Sequence, residues 1–279
     1  MNYGIYLPNY GAETSAQNLA DLANTAEQVG WDGFFIWDHI LVSKTLNVPM
    51  VDPWVALAAM AVASDRIRIG TTVTPIARRR PWKLARETVS LDHLSNGRLT
   101  LTVGLGEPPD AEFAHFGEDP NAKVRAKKLD EGLDILTSLW RGKPFSYEGQ
   151  YYQIKETTFL PPALQTPRIP IWVGGFWPNK PPFRRAARWD GAFPLVAGRA
   201  MMPEDVTEIL TFINKYREGD QPFDIVLAGT TLKKSKTNQK EIITSFAEVG
   251  MTWWLESMYS VRNSHEKVMA RIKQGPPYV

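Results

Sequence analysis

Apolar positions follow two alternating periods along the first half of the chain. Residues 67–73 carry an apolar or threonine side chain at every second position, residues 84–93 carry them at helical spacing, and residues 99–103 alternate again. Asn96 and Gly97 stand where a left-handed residue would end the helix. This stretch therefore predicts a strand, a helix and a second parallel strand, with a tight return at one end and a long loop at the other.

The same alternation continues to the end of the chain. Strands are predicted at residues 3–7, 33–37, 67–73, 99–103, 171–175, 192–196, 225–228 and 253–256. A helical pattern follows each strand, and after the fourth strand it is preceded by a polar, proline-containing loop from Glu107 to about Ala122. Residues 145–154 read as a β-hairpin inserted between the fourth helix and the fifth strand. With no shift of composition to mark a linker, this order predicts an α/β fold in which residues 1–279 form one domain, a (β/α)8 TIM barrel.

Composition narrows the class of protein. The net charge of +2 over 279 residues is not the large excess of positive charge that is typical of proteins that bind nucleic acid or a membrane surface. The absence of cysteine excludes disulfides, thiolate metal sites and cysteine nucleophiles. No run of 18 apolar residues and no leader pattern occurs, so we expect a cytoplasmic protein without a membrane span.

Polar residues follow several predicted strands, and the carboxyl ends of barrel strands meet at one face. The candidates are Asp38, His39, Thr72, Thr74, Gly104, Gly106, Glu107, Gly174, Gly175 and Glu256. His39 beside Asp38 suits proton transfer because an imidazole titrates near neutral pH. The alternative is that His39 only hydrogen-bonds a loop. Glu107 is either a general acid or a partner in an ion pair with arginine.

Glycine and basic residues suggest where an anion could bind. The backbone amides of Gly174 and Gly175 can cradle a phosphate at a strand end, and Arg188 follows nearby. Two basic loops, residues 78–80 and 233–236, are predicted on the same face, where they are either solvated or make the mouth positive. The spacing of the histidines does not resemble a metal site.

Several segments resemble one known family. The segment GWDGFFIWDH, the SNGRL turn with the Gly-x-Gly strand after it, and IWVGG are similar to the bacterial luciferase-like flavin oxidoreductases. The resemblance implies a barrel with a hairpin insertion that binds reduced FMN or the deazaflavin F420 non-covalently in its mouth. It also implies a small-molecule substrate and a homodimer, and in the FMN case reduced flavin would come from a separate flavin reductase.

The resemblance implies roles for individual residues. His39, with Asp38 beside it, would contact flavin or substrate, and Glu107 matches a catalytic glutamate of F420-dependent sugar-phosphate dehydrogenases. The residues implied or predicted to bind the cofactor are Thr72, Val73, Thr74, Gly104, Gly106, Gly174, Gly175 and Arg188. The hypothesis is a flavin-dependent oxidoreductase that reduces or oxygenates a small organic substrate. The alternatives are a catalytically silent flavin-binding or storage protein and, less favoured for want of a metal cluster, a barrel hydrolase.

Overall fold

Eight parallel strands close into a barrel in the computed structural model, which describes residues 1–232 and 234–277. The strands of the barrel are β1 (Asn2–Leu7), β2 (Gly33–Ile36), β3 (Arg68–Pro75), β4 (Leu99–Gly104), β7 (Ile171–Trp177), β8 (Gly191–Val196), β9 (Asp224–Gly229) and β10 (Trp253–Ser257). Their order around the barrel is β1-β10-β9-β8-β7-β4-β3-β2. The predicted (β/α)8 architecture is confirmed, whereas the assignment of all 279 residues to one domain stays a prediction.

A helix follows every strand of the barrel. The helices are α1 (Ala16–Gln28), α2 (Pro53–Ala63), α3 (Pro81–Leu94), α4 (Pro109–Glu112), α5 (Ala122–Leu139), α6 (Lys180–Ala186), α7 (Pro203–Asn214), α8 (Lys236–Ala247) and α9 (His265–Lys273). Short polar side chains begin several of them, as in α2, where Asp52 accepts hydrogen bonds from the amides of Trp54 and Val55. No helix within 1–232 and 234–277 is long and apolar enough to cross a membrane.

The insertion between α5 and β7 is the antiparallel hairpin of β5 (Phe145–Glu148) and β6 (Gln153–Thr157), as the sequence predicts. Glu131 of α5 holds its turn, because its carboxylate accepts hydrogen bonds from the amides of Gln150, Tyr151 and Tyr152. The hairpin is therefore docked on α5, on the outside of the barrel.

Large aromatic side chains fill the interior of the barrel near the amino ends of its strands. The ring centroids of Phe35, Trp172 and Trp253 lie 5.1–5.7 Å apart, and Val226 and Leu255 pack with them. A second, larger apolar core lies between the strands and the helices. Packing inside the amino end leaves the carboxyl end as the side where a cavity can open.

Three local predictions differ from the structure. Strand β7 is predicted to end in Gly174 and Gly175, but it continues to Trp177, with both glycines paired with β8. The segment after β4, expected to be a loop, contains the short helix α4. In the basic segment 233–236, Lys236 is the first residue of α8, and Lys233 lies outside the described residues.

Candidate active site

A cavity of about 610 Å³ opens at the carboxyl ends of the barrel strands. Its lining is largely apolar and comes from six strands and their loops, including Tyr6, Trp37, Val73, Leu105, Phe193 and Leu195. Its volume lies within the roughly 300–1,000 Å³ that small-molecule and cofactor sites occupy. This is the face on which the sequence placed the candidate chemistry.

The floor of the cavity depends on a bulge in β3. The register between β3 and β4 shifts between Thr71 and Thr74, and the Thr72–Val73 peptide is cis. A Cβ atom on Gly104 would lie 3.0 Å from Val73 Cγ2, and one on Gly174 would lie 2.6 Å from Val73 Cγ1. Real Cβ atoms rarely come this close to another side chain. The absence of a side chain at Gly104 and Gly174 therefore makes room for Val73 beside β4 and β7.

His39 is held at the cavity wall by a carboxylate that the sequence analysis missed. His39 Nδ1 lies 2.7 Å from Oε1 of Glu112, whose side chain is 1% exposed. Burial, together with the nearby positive charge of Arg78, lowers the pKa of His39 to about 4. The imidazole is therefore neutral at pH 7, and Nδ1 is the ring nitrogen that is engaged by Glu112.

Asp38 belongs to a buried cluster of ion pairs. Its carboxylate accepts hydrogen bonds from the Thr74 hydroxyl at 2.9 Å, from Arg78 at 2.7 Å and from Arg79 at 2.8 Å. Arg78 also forms an ion pair with Glu112. Two carboxylates thus face two guanidinium groups, and their charges balance.

This cluster corrects two predictions. The arginines of residues 78–80 were expected to be solvated or to make the mouth positive, but the side chains of Arg78 and Arg79 are only 6% and 17% exposed and are neutralised by carboxylates. Asp38 was predicted to be catalytic beside His39. Because both of its carboxylate oxygens already accept hydrogen bonds from buried groups, the geometry favours an anchoring role for Asp38.

One buried donor on the cavity lining, the hydroxyl of Thr72, has no hydrogen-bond partner within the described residues. Buried polar groups are almost always hydrogen-bonded, so this hydroxyl can serve a polar atom of a ligand. Thr74, predicted beside Thr72, lies behind the lining, where its hydroxyl is bonded to Asp38 and Thr71.

The remaining predicted residues divide between the cavity and other places. Gly104, Gly106, Gly174, Gly175 and Glu107 line the cavity. The Glu107 side chain is 55% exposed and lies 3.7 Å from Arg125. The two glycines of β7 sit inside a paired strand, and not in the turn before a helix that the phosphate prediction assumed.

Arg188 and Glu256 lie away from the cavity. Arg188 follows α6 and precedes β8, so it stands at the opposite, amino end of the barrel, where it is 57% exposed and pairs with Asp134. The structure therefore does not bring Arg188 to the cavity that its predicted role in cofactor binding concerns. Glu256 is turned outward from β10, buried, and bonded to Thr231 and the indole of Trp254.

Tyr6 and Trp37 form one aromatic wall of the site, and further aromatic rings pack against Trp37. Trp37 stacks on Tyr259 with 5.7 Å between ring centroids and 14° between planes, and Tyr6 and Tyr10 pack against Trp37 at 5.3 and 5.9 Å. The sequence showed that Tyr6 and Trp37 end strands, but nothing in it placed Tyr259, which comes from the turn after β10. Flat walls of this kind suit a planar ligand.

Comparison with known proteins gives one matching family model and several curated relatives. A family model described as luciferase-like monooxygenase matches residues 1–231. An F420-dependent glucose-6-phosphate dehydrogenase of Beutenbergia cavernae is 31% identical over 231 residues, which cover 80% of this chain and 65% of that protein. One of Microbacterium testaceum is 34% identical over 163 residues, 57% of this chain and 47% of that protein. The chain thus spans about half to two thirds of the length of these curated relatives.

Solved structures share the fold at lower identity. The monooxygenase RslO1 from Streptomyces bottropensis superposes with a TM-score of 0.76 at 21% identity, covering 98% of this chain and 97% of that one. An F420-dependent secondary alcohol dehydrogenase in complex with an F420–acetone adduct superposes with a TM-score of 0.78 at 16% identity, covering 99% and 98%. At these identities the likeness confirms the fold alone.

Proposed function

The chain belongs to the luciferase-like monooxygenase family, and from this premise we propose that it is a flavin-dependent oxidoreductase that uses F420 to interconvert a small alcohol and its carbonyl compound. The observation that carries the proposal is the neutral His39, held by a carboxylate at the wall of a largely apolar cavity. A redox reaction of this kind needs a dry cavity, a planar binding surface and one proton-transferring group.

The residues of the cavity fit a flavin ring. Val73, beside the bare backbone of Gly104 and Gly174, offers a flat apolar surface. The Thr72 hydroxyl, which has no partner within the described residues, and the indole N–H of Trp37 on the lining can serve the carbonyl oxygens and ring nitrogens of an isoalloxazine or deazaflavin. We therefore propose that these residues hold the ring, and that the peptide groups of Gly174 and Gly175 lie along it.

The proposed division of labour follows from these positions. When bound, the flavin would supply the two-electron chemistry. His39 would exchange a proton with the substrate oxygen, because its Nε2 is free to accept one at neutral pH. Glu107, at the exposed rim of the cavity, would orient the substrate. The aromatic wall would exclude water from the reacting atoms.

F420 is favoured over FMN by the relatives of higher identity. The two curated relatives described above, at 31% and 34% identity, are named F420-dependent glucose-6-phosphate dehydrogenases, whereas solved structures of F420-dependent proteins and of proteins with FMN match about equally, at 16–17% and 17–18% identity. In this chain Arg78 and Arg79, after β3, are neutralised by Asp38 and Glu112, so these two arginines offer no free charge to a phosphorylated substrate. We therefore place uncharged alcohols beside sugar phosphates among the substrates to be tested.

A turnover assay tests the proposal. The purified protein is mixed with oxidised F420 and a panel of secondary alcohols and sugar phosphates, and the loss of absorbance of the oxidised cofactor is followed. We expect reduction of F420 with at least one member of the panel, and loss of that activity in His39→Ala. Binding of F420 with no turnover by any substrate, in either direction, would instead favour the silent flavin-binding alternative.

The second candidate is a monooxygenase fed with reduced FMN by a separate flavin reductase. The description of the matching family model and the similarity to RslO1 favour it. Oxygen consumption that requires both reduced FMN and an organic substrate, with no reduction of F420, would make this the better assignment.

We also propose that the protein is a homodimer formed through α2. The outward side of this helix is apolar, with Val55 and Val62 exposed by 60% and 73%. The half-buried Ala58, Ala59 and Ala63 complete this side. Small and apolar residues on an outer helix face allow close packing against a second copy. Light scattering after gel filtration would show about twice the mass of the chain.

A further inference from the structure

Glu112 makes an unusual set of contacts for a residue outside the predicted site. Its Oε1 lies 2.7 Å from His39 Nδ1 and 3.3 Å from the amide nitrogens of both Ile40 and Leu41. Its Oε2 faces the guanidinium of Arg78. One carboxylate on α4 therefore fixes the ring of His39, the backbone after it, and the arginine beneath it.

These contacts assign the proton of the His39 ring. Donors approach Glu112 from every side, and hydrogen bonds and positive charge both favour the ionised form of a carboxyl group. An ionised carboxylate only accepts hydrogen bonds, so the proton shared with His39 belongs on Nδ1. The position of the ring is fixed further by Asn9, whose side-chain amide bonds to the His39 carbonyl at 2.9 Å and whose side-chain oxygen accepts from the His39 amide.

We propose that Glu112 is the positioning residue for His39, and that their hydrogen bond fixes the imidazole in the form with its proton on Nδ1. The inference deepens the proposed function and rests on it, since it names the residue that orients the group proposed to exchange the proton. In the proposed oxidation of an alcohol, the O–H bond would break as Nε2 takes the proton, and the C–O single bond would become the carbonyl bond. A bound oxidised flavin would supply the acceptor for the hydrogen that leaves the carbon with both electrons.

The charges around His39 support an acceptor at neutral pH. The ionisable groups that face it are Asp38, Arg78, Arg79, Glu112 and, through a ring contact, Tyr10. The two carboxylates and two guanidinium groups already balance, and burial raises the pKa of the tyrosine to about 12, so it is neutral. A protonated imidazole would add an unbalanced charge to a buried cluster, which is costly.

Nitrogen NMR of the histidine ring tests this without any substrate or cofactor. Protein labelled with ¹⁵N in its histidines gives separate signals for Nδ1 and Nε2, and the His39 signals are identified by their loss in His39→Gln. In the wild type at pH 7 we expect the proton on Nδ1. In Glu112→Ala that preference should be lost, so that the form with the proton on Nε2 becomes populated.

Asp110→Asn is the matched control, because Asp110 lies on the same short helix but is 69% exposed and pairs only with Lys44 at the surface. It should leave the His39 spectrum unchanged. With a substrate found by the turnover assay, Glu112→Ala should lower kcat on the order of 100-fold, within the range known for proton-transfer groups and their orienting partners, while flavin affinity changes by less than about 2-fold.

The outcomes separate the inference from the function on which it rests. A wild-type spectrum with the proton on Nε2 would overturn the inference, and that measurement does not depend on whether Glu112→Ala folds. An Nδ1–H form that persists unchanged in folded Glu112→Ala would also overturn it. If the NMR spectra are as expected but no alcohol is oxidised in the turnover assay, the result supports the positioning role of Glu112 and counts against the proposed function.

Discussion

Replacing Asp38 by asparagine should destabilise the protein strongly. The Asp38 side chain is fully buried and accepts hydrogen bonds from Thr74, Arg78 and Arg79 at 2.7–2.9 Å. An asparagine keeps the shape but removes the charge, which leaves the cluster with two guanidinium groups and the single carboxylate of Glu112.

The expected magnitude follows from the burial of the pair. Removing one partner of a buried ion pair costs about 3–5 kcal/mol, because the remaining charge has lost its compensation without regaining water. For a chain of this size each kcal/mol lowers Tm by roughly 2–4 °C, so the fall should be on the order of 6–20 °C.

Urea unfolding at pH 7.5, followed by circular dichroism, measures the free energy of unfolding, and calorimetry gives Tm. Asp134→Asn is the matched control, since Asp134 pairs with Arg188 at 3.3 Å with both side chains about half exposed. It should cost no more than about 1 kcal/mol. If the free energy of unfolding of Asp38→Asn falls by less than about 1 kcal/mol, the reasoning that the buried cluster holds the loops after β2 and β3 together is refuted.

Three further predictions concern pH, the cavity floor and the dimer. Because the pKa of His39 is lowered from 6.5 to about 4 in the folded chain, the unfolded chain binds more protons between these values. The stability from this group should be complete above pH 6.5 and fall by up to about 3 kcal/mol towards pH 4. Urea unfolding across this range should show a shallower pH dependence in His39→Gln than in the wild type, and the slope should be unchanged in His265→Gln. Gly174→Ala should weaken flavin binding roughly ten-fold in a fluorescence titration. Its Cβ would lie 2.6 Å from Val73, and overpacking of this kind costs about 1–3 kcal/mol. An unchanged flavin affinity would count against this site. Val62→Lys should shift the protein from dimer to monomer in light scattering, and a dimer that persists would move the interface elsewhere.

The sequence predicted best what depends on periodicity. The alternation of apolar residues located all eight strands of the barrel, and Asp52 marked the start of α2 as its side chain does in the structure. The position of His39 directly after a buried strand placed it at the mouth because parallel strands all end on one face.

What the sequence could not supply is the pairing between loops. Glu112 lies on a helix of four residues, too short to show a period, and its partners His39 and Arg78 are 73 and 34 positions away. Three consecutive arginines usually indicate a solvated loop, and only the carboxylates brought by two other segments explain why Arg78 is buried. Arg188 was misplaced because α6 and the residues after it return the chain to the amino end of the barrel before β8.

The central claim is that the cavity at the carboxyl end of the barrel binds a flavin. Calorimetric titration of the protein with F420 and with FMN, each oxidised and reduced, tests it most directly. Leu195→Trp adds bulk at the lining, and Leu164→Trp adds it at an exposed position elsewhere. The account predicts binding of F420 to the wild type and to Leu164→Trp, and its loss in Leu195→Trp. If neither flavin binds the wild type, or if Leu195→Trp binds F420 equally well, the claim is contradicted.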